Sequence, residues 1–233
     1  MLRFLNIQHR FFTPANFLLI MTFCMALVFS TWQVLLNNFV IEKAAFTGKE
    51  IGMLQSLREI PGFLAFTAIY VLLFIKEQLF ATLALLVTCI GVGLTGFYPN
   101  VMGLYVTTVV MSIGFHYYET VNQSLTLQWM PKAQTASFMG RALSVKAVGA
   151  LSAYAVIWAL MEYLQWPYVQ AYVLIGGLGA VLVILLWVSF PQFKATTVQT
   201  KKLFVKKQYS LYYALVFFSG ARRQIFMVFA GFL

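Results

Sequence analysis

Residues 112–123 read Ser-Ile-Gly-Phe-His-Tyr-Tyr-Glu-Thr-Val-Asn-Gln, SIGFHYYETVNQ, inside an otherwise apolar segment spanning 101–129. Ser112, His116, Glu119 and Gln123 recur at i, i+4, i+7 and i+11. On a helix that spacing draws one polar stripe down one face. An ionised group in hydrocarbon is costly, so the stripe is expected to face protein or a water-filled cavity. Polar residues that merely glue membrane helices together are usually Ser, Thr, Asn or Gln. A carboxylate and an imidazole on one stripe point instead to function. Glu119 fits a protonation switch, charged and paired in one state and neutral in another. His116 fits a proton relay, or a partner for Glu119 one turn away.

The composition around this stretch is that of a membrane protein. Of 233 residues, 61% are hydrophobic and 9% charged, whereas a soluble domain carries about 25% charged residues. Asp is absent, so the net charge of +10 is a surplus of Lys and Arg over six Glu. In a soluble chain that surplus would suggest nucleic acid. Here the basic residues cluster in loops between apolar segments, the positive-inside pattern, and no nucleic-acid partner is expected. Cys24 and Cys89 fall within apolar segments and read as small core residues. The sequence holds no Cys-x-x-Cys pair, phosphate-binding Gly-rich loop or Gly-x-Ser-x-Gly. No metal, no cofactor and no enzymatic activity are therefore expected.

A bilayer-spanning helix needs about 20 mostly apolar residues. The pattern predicts seven, over 15–41, 50–75, 79–98, 101–129, 136–164, 168–190 and 209–233, an all-α, polytopic membrane bundle. Arg3 and Arg10 precede an apolar run that continues past Trp32 without a small-residue cleavage site, so the first is an uncleaved membrane helix. Pro14, Pro99, Pro131, Pro167 and Pro191 all fall at predicted helix ends, where a missing N–H does least harm. Pro61 lies inside the second helix and is expected to kink it by removing the bond to the carbonyl of Leu57. Lys76, Lys132 and the five lysines of 191–208 lie on the same side as Arg3 and Arg10. Lys43 and Lys49 stand against Glu42 and Glu50 on the other. The N-terminus is therefore expected in the cytoplasm.

Polar residues recur by triplets. The first helix carries Ser30, Gln33 and Asn37, the second Arg58 and Glu59, the fourth the stripe, and the fifth Arg141 and Lys146. The third and sixth carry no charge. That is a 3+3 repeat around a cavity, with the third helix of each triplet toward lipid. The seventh helix begins the pattern again, with Arg222, Arg223 and Gln224 near its middle, and Ala26–Phe29 (ALVF) recurs as Ala214–Phe217.

Several residues are candidates for solute binding, coupling or gating. Glu119 and Lys146 lie at similar depth on consecutive helices and are expected to pair, either as the protonation switch or as a fixed ion pair that neutralises two awkward charges. Gln33 and Asn37, with Trp32 and Asn38 nearby, could hydrogen-bond a polar solute or a neighbouring helix. Gln123 extends the stripe toward the cytoplasm. Arg58 and Glu59, beside Pro61, suggest a gating pair at a kink. Adjacent residues on a helix point about 100° apart, so the better expectation is that one of the two pairs with a neighbouring helix. Arg222 and Arg223 offer planar forks for a carboxylate or phosphate, or for an acid such as Glu119.

Six helices with the N-terminus inside, a long basic loop, and a polar helix restarting the pattern resemble the N-terminal half of a major facilitator superfamily transporter. The resemblance implies an N-terminal bundle over 1–190, a cytoplasmic basic linker over 191–208, and the first helix of a second, incomplete bundle over 209–233. It also implies that the first and fourth helices of each bundle line a central cavity. The loop Phe74-Ile75-Lys76-Glu77-Gln78-Leu79 keeps a charged pair but departs from the family's Gly…Asp-Arg…Gly-Arg signature. The fifth helix has Gly149 and lacks the proline of the family's proton-coupled drug exporters. The implied function is a plasma-membrane (cell inner membrane) permease moving a small polar solute by alternating access. Arg222 and Arg223 would suit an anionic one, and Glu119 would suit coupling to protons. The expected partners are the lipid bilayer, the solute, protons and the remainder of the second bundle. Transport by these 233 residues alone is not expected. A seven-helix receptor or sensor is the alternative. Against it stand the basic N-terminal tail and the lack of Lys in the seventh helix for a retinal Schiff base.

Overall fold

The computed structural model describes residues 11–194 and 206–229, the last nine of these as helix without their side chains. The described residues are helical, with no strand. We number the long helices α1 (Pro14–Ala44), α2 (Gly48–Phe63), α3 (Glu77–Thr95), α4 (Val101–Trp129), α5 (Lys132–Trp158), α6 (Tyr168–Ser189) and α7 (Ser210–Phe229). The chain divides into two units, 1–199 and 200–233. The first holds α1–α6. The second holds α7, preceded by a single 3-10 turn at Lys207–Tyr209.

Local signals set the helix starts. The Thr13 side chain accepts from the Asn16 amide at 3.2 Å, with Pro14 at the first helical position. Thr47 and Glu50 form a reciprocal capping box ahead of α2. Asn100 Oδ1 accepts from the Gly103 amide at 2.8 Å to open α4. The fifth helix starts at Lys132 instead of 136 because Pro131 can precede the first turn without wasting an N–H. It ends in a π turn, Ala159–Tyr163.

Among the described residues, five helices are long and apolar enough to cross a membrane, namely α1, α3, α4, α5 with its π turn, and α6. The protein is a multi-pass, all-α membrane bundle. The predicted continuous helix over 50–75 is corrected. α2 ends at Phe63, passes through a 3-10 turn at Leu64–Thr67, and resumes for one turn at Ala68–Val71. Pro61 is tolerated in the last turn of α2, and the regular ladder gives out just after it. With Arg58 and Glu59 in its second half, α2 is also less apolar than those five.

The packing follows the triplets. α1 lies against α5 and α6, and α4 lies against α2 and α3. Exchanging α1 with α4, α2 with α5 and α3 with α6 turns the first set of contacts into the second. The α3–α6 contact maps onto itself. The expectation that the third helix of each triplet faces lipid does not describe α3. In its most apolar stretch 61% of the residues are buried, against 22% for the Lys132–Tyr163 helix. Small residues explain this. A Cβ on Gly91 of α3 would lie 2.6 Å from the Met111 backbone of α4, and one on Gly176 of α6 would lie 2.7 Å from the Cys89 carbonyl oxygen. With no side chain at these points the backbones approach closely, and dispersion contacts replace the missing hydrophobic drive between helices in lipid.

At the cytoplasmic end of the predicted topology, Gln78 ties the exit of α6 to the start of α3. Its Nε2 donates to the Pro191 carbonyl at 3.0 Å, and its Oε1 accepts from the Phe193 amide at 2.9 Å. Phe190 and Phe193 pack with Phe17, and Trp129 adds a further edge. Each hydrogen bond is worth about 1 kcal/mol. Gln78→Leu should therefore raise trypsin cleavage after Lys194 about tenfold in the folded protein. An unchanged rate would mean that the aromatic contacts alone hold this segment.

Candidate functional site

α4 meets different neighbours at different depths, so the polar stripe divides. Helices in a bundle cross at an angle, and one face therefore passes from one neighbour to the next. The upper half faces α2. Ser112, fully buried, donates to the Arg58 carbonyl oxygen. The His116 ring occupies the space that Gly62 leaves open, where an added Cβ would lie 2.7 Å from His116 Cε1. The Phe115 ring stands edge-on beside it at 5.0 Å. His116 is thus built into the α2–α4 contact and is not among the lining residues of the cavity described below.

As expected of one member of the Arg58–Glu59 couple, Arg58 reaches a neighbouring helix, at Trp32 of α1. The two residues also pair with each other, Nη2 to Oε1 at 2.7 Å and Nε to Oε1 at 3.2 Å. Two long side chains bend far enough to close the roughly 100° between their Cα–Cβ directions. The Arg58 guanidinium lies 5.9 Å from the centroid of the buried Trp32 ring, which favours the cation electrostatically. Pro61 and Gly62 end this polar stretch of α2 where the 3-10 turn begins.

The lower half of the stripe faces α5. α4 and α5 touch at few places, and between them, backed by α1, lies a cavity of about 250 Å³. Lys146 Nζ donates to Glu119 Oε1 at 2.9 Å across it. The two side chains are 46% and 39% exposed, so the pair is reachable and not sealed in the core. Gln123 lines the same cavity. The structure therefore brings together Glu119, Gln123 and Lys146.

Nine of the twelve lining residues were not among the candidates, and four of these are polar, namely Tyr118, Asn122, Thr126 and, from α1, Thr22. Asn122 follows Glu119 by three positions and could have been read from the helical period. Its Oδ1 is buried with no hydrogen-bond partner among the described residues. Thr22 could not have been found, since only packing decides which turn of α1 backs the cavity. Met25, Phe138, Met139 and Leu143 supply the apolar wall.

Gln33, half-buried, and Asn37, exposed, are not among the cavity's lining residues. Arg222 and Arg223 lie within α7, but their side chains are outside the described residues. Among the described residues there is no cluster of three or more His, Cys, Asp or Glu able to hold a metal ion.

Compared with family models, with curated proteins and with solved structures, the chain matches none.

Proposed function

We propose that this chain is part of a secondary active transporter of the major facilitator type, with α1–α6 as one bundle and α7 opening the next. In this reading it moves a small polar solute bearing an anionic group by alternating access, and Glu119 couples the movement to protons. It resides in the plasma membrane with its N-terminus in the cytoplasm. The observation that carries the reading is the interchangeable packing of the two triplets, α1 on α5 as α4 on α2, around a cavity holding one ion pair. Inverted repeats with a binding site between helices are the common plan of secondary transporters. An ion pair on membrane helices is costly unless it does something the bundle needs.

Labelling with a membrane-impermeant thiol reagent tests this. Single cysteines are placed at 45, 123, 146 and 200 after Cys24 and Cys89 are replaced by alanine. Position 45 should label from outside and 200 only from inside. Positions 123 and 146 should label from an aqueous face. Labelling of 200 from outside would sink the topology. Absence of labelling at both cavity positions from either side would sink the transporter.

A further inference from the structure

We infer that the α1–α4–α5 cavity binds a small zwitterion, an α-amino acid with an apolar side chain, by exchanging the Glu119–Lys146 pair for two pairs with the ligand. The inference rests on the proposed transporter reading only in taking this cavity as the solute site. Glu119 is the one carboxylate among the lining residues and Lys146 the one ammonium, 2.9 Å apart. While Glu119 is ionised, a simple anion could pair with Lys146 only by leaving that carboxylate uncompensated, and an amine would strand Lys146. A ligand that takes one partner leaves the other facing the cavity without its counter-ion, whereas one that takes both keeps each charge compensated. An α-amino acid carries its ammonium and carboxylate on one carbon and can satisfy both groups at once.

Three further features fit that ligand. Asn122 and Thr126 add neutral polar residues to the lining, and an ammonium has a third N–H to spare once Glu119 is engaged. Met25, Phe138, Met139 and Leu143 form an apolar wall for a side chain. A cavity of about 250 Å³ falls below the range of roughly 300–1,000 Å³ that holds drug-sized ligands. It matches a solute of amino-acid size. The two charged side chains are 46% and 39% exposed, so they can swing apart without breaking the core.

The purified 233-residue chain in lipid nanodiscs at pH 7 is titrated with L-leucine, with 4-methylpentanoate and with 3-methylbutylamine, and binding is read by equilibrium dialysis and thermal shift. Leucine should bind saturably, and the other two at least tenfold more weakly. Glu119→Gln should weaken leucine tenfold or more while tightening 4-methylpentanoate, since the competing carboxylate is gone. A merely structural Glu119 would weaken all three probes together, and that result overturns the inference. So does equal binding of leucine and 4-methylpentanoate, which would leave the anionic-solute transporter standing, or no saturable leucine binding. If leucine binds as expected but the cavity cysteines label from neither side, the site stands and the transporter reading falls.

Discussion

Gly114→Val should destabilise the bundle by about 3 kcal/mol, at the upper end of the usual cost of overpacking, and should sharply lower the yield of monodisperse protein. Gly114 sits where α4 crosses α3. A Cβ there would run into the Ala84 carbonyl oxygen and the Thr88 amide and hydroxyl. Two of these three atoms belong to the backbone of a helix packed on both α4 and α6, so relief requires moving a whole helix and not a rotamer. Valine adds two further carbons to that clash. Gly177→Ala is the control. Nothing lies within 4 Å of the Cβ it would add, and alanine is the better helix former by up to about 1 kcal/mol. Thermal unfolding in detergent should separate the two variants clearly. Equal melting temperatures would mean that α3 and α4 can slide apart at little cost.

Charge reversal at the cavity should separate binding from stability. Lys146→Glu places two carboxylates where an ion pair stood at 2.9 Å, and leucine binding should fall at least a hundredfold. Glu119→Lys alone should do the same with the opposite sign. Combining the two restores one acid and one base in swapped places, and binding should return to within about tenfold of the starting protein. The double-mutant cycle then reports a large coupling. Stability should move by no more than about 1 kcal/mol in any of these variants. The pair is nearly half exposed, and exposed pairs contribute little because water screens them and ordering long side chains opposes the gain. A fall in stability that tracks the fall in binding would mark Glu119 and Lys146 as structural.

Much of the fold was legible in the sequence because its strongest signals are local. Long apolar runs punctuated by proline placed α1, α4 and α6 to within three residues at either end. Lipid offers no hydrogen bonds, so an apolar run of that length has almost no alternative to a helix. α2 was misjudged in length because the pattern registers hydrophobicity over a window. The loss of helical bonding after Pro61 depends on the turn that follows it.

The site divides along the same line. By itself the sequence determined a helical membrane protein, the polar stripe Ser112–His116–Glu119–Gln123, and the pairing partners Glu119 and Lys146 at matching depth. The tertiary structure alone decided that α3 lies inside the bundle, because Gly91, Gly114 and Gly176 let three backbones meet there. It alone placed His116 against Gly62 and left Glu119 in a cavity. It alone turned Arg58 back on Glu59 and set Thr22 and Asn122 beside the ion pair. A helical period specifies which residues share a face of one helix. Which neighbour covers that face at each depth depends on crossing angles and backbone separations, and these emerge only when all six helices pack together.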